Sequence, residues 1–157
     1  MPSAHSKAQA LALIKDAVSR GQRFLITSHA RPDGDSIGSQ LAMAYALKAL
    51  GKDVRLVNRD VPPPAYFDLP GMTWIEVAST VDGDYDGAFV MECSDIDRPG
   101  VSGLEQYPLI NVDHHLGNTN YGRINWFDES AAACGEMVCD IVDALAVPLS
   151  TEIATHL

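Results

Sequence analysis

Twice in this chain an apolar, partly β-branched run leads directly into a cluster of histidine and acidic residues, and no other feature constrains the fold as much. Phe24-Leu25-Ile26-Thr27 runs into His29-Ala30-Arg31-Pro32-Asp33-Gly34-Asp35, and Leu109-Ile110-Asn111-Val112 runs into Asp113-His114-His115. A short apolar run bounded by turn residues predicts a buried strand, so both clusters are expected at strand ends. After the first, Ile37, Leu41, Ala44 and Leu47 recur at helical spacing over Ser36 to Leu50, with Gly51 placed to end the helix. Strand, acidic turn and helix is the layout of an α/β site. In open parallel sheets ligands bind beyond the carboxyl ends of the strands, so two such turns can converge on one crevice.

The rest of the chain extends this pattern. Leu11, Ile14 and Val18 mark an amphipathic helix over Ser6 to Arg20, and strands are expected at Arg23–Ser28, Val54–Asn58, Trp74–Val77, Gly87–Glu92, Leu109–Val112 and Arg123–Phe127. Pro62-Pro63-Pro64 reads as a loop, because proline cannot donate within a central sheet. A helix carrying Val138, Ile141, Val142 and Leu145 is expected from near Ser130 until Pro148, and Ser150 is placed to cap another. The predicted fold class is α/β, an open, mainly parallel sheet flanked by helices on both faces. A length of 157 residues fits one domain that buries roughly two-thirds of its unfolded surface. Ile153 and Leu157 begin a new apolar stripe where the sequence stops. Residues 1–157 are therefore expected to form one metal-binding domain, incomplete at its carboxyl end.

Composition narrows the function. A net charge of −10 argues against a broad electrostatic grip on long nucleic acid, which relies on many lysine and arginine contacts to phosphate. A small anionic ligand remains compatible, since cations held by carboxylates invert the local sign. No apolar stretch approaches the ~20 residues of a membrane span and no signal-peptide pattern is found, which reads as a soluble cytoplasmic protein. The three cysteines, Cys93, Cys134 and Cys139, fit reduced thiols better than a disulfide framework, and Cys93 reads as a small buried residue near a strand end.

Each piece of the two clusters has a purely structural reading when taken alone. Asp33 or Asp35 could cap the following helix, His114 and His115 could be loop residues, and Gly38 and Ser39 could serve helix packing. His29 beside the paired aspartates, and the histidines directly after a buried strand, tip the reading toward metal ligation, because carboxylate oxygens and imidazole nitrogens suit divalent cations. The Gly117 to Gly122 loop is given a supporting role.

Together, His29-x-x-x-Asp33-x-Asp35-x-x-Gly38-Ser39, Asp113-His114-His115 and Gly117-Asn118-x-x-Tyr121-Gly122 resemble the DHH phosphoesterase family. The closest resemblance is to its branch of short-oligonucleotide ribonucleases and 3',5'-bisphosphonucleotide phosphatases. It implies two Mn²⁺ ions, with Mg²⁺ or Co²⁺ as substitutes: His29 and Asp33 on the first, Asp35 and His114 on the second. His115 would face the substrate phosphate, and Asp113 would orient a histidine or the loop. The implied partner is a small phosphorylated nucleotide or short oligonucleotide, with no long duplex and no membrane; a homodimer is left open.

The chain departs from that family pattern in two places. Where relatives carry an aspartate bridging both metals, this chain has Glu92, with Asp95 as a rival three residues later; the strand-end position favours Glu92. Arg98 matches a downstream arginine that contacts phosphate or pairs with Asp95 or Asp97. A further metal-binding aspartate and a smaller substrate-holding domain, expected next, do not occur before Leu157, so weak or no turnover is expected of these residues alone. Two other readings stand beside Mn²⁺-dependent hydrolysis of short oligonucleotides and nucleotide bisphosphates. One is a pyrophosphatase or polyphosphatase of the same superfamily; the other is a nucleotide-binding module with a degenerate metal site.

Overall fold

The strands are β1 (Arg23–Thr27), β2 (Asp53–Asn58), β3 (Ile75–Val77), β4 (Gly87–Met91), β5 (Leu109–Asp113) and β6 (Ile124–Phe127). In the computed structural model, which describes residues 3–157, they form one wholly parallel sheet in the order β3-β2-β1-β4-β5-β6. The apolar runs that predicted β1, β4 and β5 are what central parallel strands require, because both faces of such strands are covered. Phe24 and Ile26 of β1 point into one core while Leu25 points into another, and Phe89 with Met91 of β4 oppose Ala88 with Val90 in the same way.

Four helices accompany the sheet among the described residues: α1 (Lys7–Arg20), α2 (Gly34–Ala49), α3 (Cys134–Ala144) and α4 (Thr151–His156). Ser6 and Gln9 close a capping box on α1, and Asp33 and Ser36 close one on α2, so local hydrogen bonding sets both starts. Buried residues of all four helices join the same core as Phe24, Ile26, Phe89 and Val112. The open parallel sheet is as expected, but the helices share one face, whereas the sequence reading placed them on both. The β4–β5 connection, which crosses the opposite face, is punctuated by Pro99, Gly100 and Gly103 and closes only a 3₁₀ turn at Leu104–Gln106. Val101, Leu104 and Tyr107 from that segment cover Leu25, Val57 and Val90.

Element boundaries also move. Ser130 does not start a helix, because its N–H and hydroxyl both donate to Asp128 Oδ1 in a turn, and α3 begins at Cys134. Trp74 belongs to a 3₁₀ turn that precedes β3. Gly38 lets α4 approach α2: a Cβ there would lie 2.5 Å from the His156 carbonyl oxygen. All three cysteines are free, Cys93 and Cys134 being buried and Cys139 exposed. No helix among the described residues is long and apolar enough to cross a membrane.

Strand order reverses between β1 and β4. The chain runs outward from β1 through β2 to β3, then returns to β4 and continues through β5 to β6. The space beyond the carboxyl ends of β1 and β4 is the topological switch point, where open α/β sheets bind ligands.

Candidate metal centre

Three strand ends deliver side chains to the switch point. His29 follows β1, Glu92 follows β4, and Asp113 ends β5 with His114 and His115 behind it; Asp33 and Asp35 come from the start of α2. Ligand atoms of His29, Asp33 and Glu92 lie within 4.8 Å of one another, and so do those of Glu92, His114 and His115. Glu92 belongs to both groups and stands between them.

The polarity of the histidines identifies what is missing between these groups. His114 Nδ1 is 3.0 Å from the Ala131 carbonyl oxygen and His29 Nδ1 is 2.8 Å from that of Ala30. A carbonyl only accepts, so in each neutral ring Nδ1 carries the proton and Nε2 presents a lone pair. Those lone pairs face carboxylates: His114 Nε2 lies 3.2 Å from Glu92 Oε1 and 3.6 Å from Asp35 Oδ2, and His29 Nε2 lies 3.6 Å from Asp33 Oδ2. Acceptors pointed at acceptors require a cation or extra protons between them. Metal-ligating histidines are held in this manner, one nitrogen donating to an oxygen and the other free.

Glu92 concentrates the cost. It is only 2% exposed, and its Oε1 has no hydrogen-bond donor. Burial, then the charges of Asp35 and Asp113, push its carboxyl up to about 9. Its backbone adopts φ +61°, a left-handed conformation that costs a non-glycine residue about 1–3 kcal/mol and tends to mark functional sites. An orphaned buried carboxylate oxygen among oxygen and imidazole donors fits a hard or borderline divalent cation.

The neighbouring acids are differently held. Asp33 spends Oδ1 on the Ser36 N–H as the cap of α2 and turns Oδ2 toward His29, so capping and facing the site are one arrangement. Burial would raise its pKa, but the Ser36 bonds and His29 outweigh it and the carboxyl is lowered. Asp35 accepts from the N–H groups of Cys134 and Gly135, at 2.9 and 3.0 Å, and from the Ser39 hydroxyl. Those are unpartnered donors of the first turn of α3, whose cap position, Ala133, has no side-chain acceptor. Asp113 is fully buried and accepts from His115 Nδ1 at 2.8 Å and Asn118 Nδ2 at 2.6 Å, which turns His115 Nε2 toward Glu92 Oε2, 4.0 Å away.

Two sequence candidates lie outside this group. Asp95 places its carboxylate on the Asp97 N–H and the Thr119 hydroxyl, as a turn residue does. Arg98 is exposed, and only its carbonyl reaches the site loops, accepting from the Ala30 N–H. A cavity of about 450 Å³ lies at the opposite end of the sheet, lined by Leu13, Ala17, Gly21, Asp86, Pro108 and Arg123, and shares no residue with the centre.

The family model for the DHH family, N-terminal domain, matches residues 23–157. The chain belongs to the DHH family. This DHH domain is 37% identical over 132 residues to the bifunctional oligoribonuclease and PAP phosphatase NrnA of Thermus thermophilus, covering 83% of this chain and 39% of that protein. It is 26% identical over 123 residues to the protein of the same description from Bacillus subtilis, covering 75% of this chain and 37% of the other. The chain thus spans about two-fifths of the length of the curated relatives it matches. A solved exopolyphosphatase-related protein from Bacteroides fragilis shares the fold, with a TM-score of 0.80 at 20% identity over 88% of this chain and 44% of that one.

Some residues that organise the DHH site carried no strong sequence signal. Asn111 Nδ2 donates to the Cys93 carbonyl and to Tyr121 Oη, and Tyr121 Oη donates to the same carbonyl, so the loop after β4 is tied to the loop before β6. Asn118 is the second donor to Asp113. The Gly117 to Gly122 motif pointed to that loop but not to the carboxylate it would serve. The start of α3 was expected near Ser130, so the need of its first N–H groups for a distant acceptor carried no signal.

Proposed function

We propose that this DHH domain is the metal-binding half of a Mn²⁺-dependent phosphoesterase that hydrolyses short oligonucleotides and nucleotide 3',5'-bisphosphates, with a second domain holding the far side of the substrate. The observation that carries the reading is Glu92, shared by two ligand groups, buried and without a donor. The names of the relatives support the substrate class. His29 and Asp33 would hold one ion, Asp35 and His114 the other, and Glu92 both. Two divalent ions in such a site supply an activated water and stabilise the leaving oxygen.

The chain's own residues do the rest. The buried Asp113 fixes the His115 ring through Nδ1 and leaves Nε2 aimed at the mouth of the site, where the substrate phosphate would enter. Asn118 holds Asp113 in turn, so the ring is oriented through two hydrogen bonds. Arg98, exposed beside the same loops, is available to a phosphate oxygen once substrate enters. Asp35 couples the centre to α3, whose first N–H groups hold that carboxylate in place.

Calorimetric titration with Mn²⁺ tests the metal centre, and the expected result is binding at micromolar affinity or tighter. A substrate panel of a diribonucleotide, adenosine 3',5'-bisphosphate and pyrophosphate then tests the class. Whatever turnover these residues alone support is expected to favour the first two over the third; preference for pyrophosphate overturns the substrate assignment, and absence of Mn²⁺ binding overturns the metal centre itself.

A further inference from the structure

The loops beside the centre hold two arginines in more order than the metal ligands require. Arg31 has φ +54°, a conformation unfavourable for a side chain of this kind, and its N–H donates to Asp60 Oδ2 at 2.8 Å in the loop after β2. Next to Asp60, Arg59 lays its stem on the loop after β4: a Cβ added to Gly100, itself at φ +65°, would lie 3.2 Å from Arg59 Cγ. The Ala30 N–H donates to the Arg98 carbonyl at 2.8 Å, which closes the circuit between the loops after β1 and β4. Three strand-end loops are interlocked at the points that carry Arg31 and Arg59.

The two guanidinium groups are left free for a ligand. Both side chains are exposed, and neither forms an ion pair within 4.0 Å among the described residues. Asp60 and Asp95, on the same loops, are engaged by the Arg31 N–H and by Asp97 and Thr119, while Asp97 stays exposed. Arg31 is two residues from both His29 and Asp33, so its Cα lies at most about 7 Å from theirs along the chain. Arginine forks bind phosphate oxygens in pairs, and a backbone locked before binding reduces the entropy lost on capture.

We propose that Arg31 and Arg59 form a binding site for a second, non-reacting phosphate of the substrate. The inference rests on the reading of the adjacent centre as a nucleotide phosphoesterase. It makes the DHH domain itself, through these two side chains, a selector for nucleotides bearing two phosphates over those bearing one.

The test is calorimetric binding, in the cold and with Mn²⁺ present, of adenosine 3',5'-bisphosphate and of the 3'- and 5'-monophosphates to the wild type, R31A and R59A. The wild type should bind the bisphosphate more tightly than either monophosphate. Each variant should weaken the bisphosphate by about tenfold and shrink that preference, while the better-bound monophosphate changes by less than about threefold and Mn²⁺ affinity is kept. Equal losses on all three nucleotides, or none, overturn the subsite. Absence of Mn²⁺-dependent nucleotide binding by the wild type overturns the parent reading and the subsite with it. Should R31A lose Mn²⁺ because its strained loop relaxes, R59A, which adjoins no metal ligand, decides the matter alone.

Discussion

Asp86 and Glu92 flank the same strand, β4, and live in opposite electrostatic worlds. At the amino end, Asp86 is exposed and accepts from the Gln22 and Arg23 N–H groups at 2.6 and 2.9 Å, bonds that lower its pKa, with Arg23 the larger cause. At the carboxyl end, Glu92 is buried, strained and without a donor on Oε1, and its carboxyl is pushed up to about 9. One acid joins two strands; the other keeps an oxygen without a partner. A cavity of about 450 Å³ lies at the amino end, yet an unsatisfied buried polar atom, not a cavity, marks the site.

The sharpest way to break this contrast is at Glu92. Glu92→Ala should weaken Mn²⁺ binding by at least about a hundredfold by calorimetry, with Asp95→Ala within about threefold. Equal losses would show that the two acids share the role. The next effect is at the buried Asp113: Asp113→Asn leaves one acceptor oxygen for two donors, His115 Nδ1 and Asn118 Nδ2, so the His115 ring loosens and hydrolysis of a diribonucleotide should fall about 10–100-fold while Mn²⁺ affinity holds. A matching loss of Mn²⁺ would place His115 among the metal ligands instead.

Asp86→Ala probes the other end. It should cost about 1 kcal/mol of stability in urea, modest because the carboxylate is exposed and screened, and leave Mn²⁺ binding unchanged. A changed metal affinity would erase the contrast between the ends. The smallest effect is its pH dependence. A lowered folded-state pKa means that the unfolded chain takes up the proton more readily, so the Asp86 contribution is full above the ordinary carboxylate range and is lost as pH falls through the lowered value. The stability gap between wild type and Asp86→Ala should therefore be present at about pH 6 and shrink as pH falls below the ordinary carboxylate range. A gap that persists in acid would mean that the residue acts through packing.

Much of this architecture was legible in the residues. β1, β4 and β5 showed as apolar runs, α1 announced its start with Ser6, α2 was expected from Ser36 and starts two residues earlier behind Asp33, and the histidines after β1 and β5 marked the end of the sheet that matters. The face on which the helices pack was not legible, since an apolar stripe says that a helix has an inner side and not which side of a sheet receives it. Nor was the start of α3, because its cap is Asp35, 99 residues earlier in the chain. The choice between Glu92 and Asp95 rested on strand register alone; the structure adds that Asp95 spends one oxygen within its own turn and the other on Thr119, while Glu92 has nowhere to spend one.

By itself, then, the sequence determined the strands, the capped helices and the chemical kinds of ligand at the strand ends, because burial patterns and caps are settled within a few neighbouring residues. Only the tertiary structure decided that Glu92 is the shared, orphaned oxygen, that Asp35 is held by the start of α3, and that Arg31 and Arg59 are interlocked beside the centre. Those outcomes depend on which groups distant segments bring within hydrogen-bonding range and which they leave without a partner, and local sequence carries no record of that.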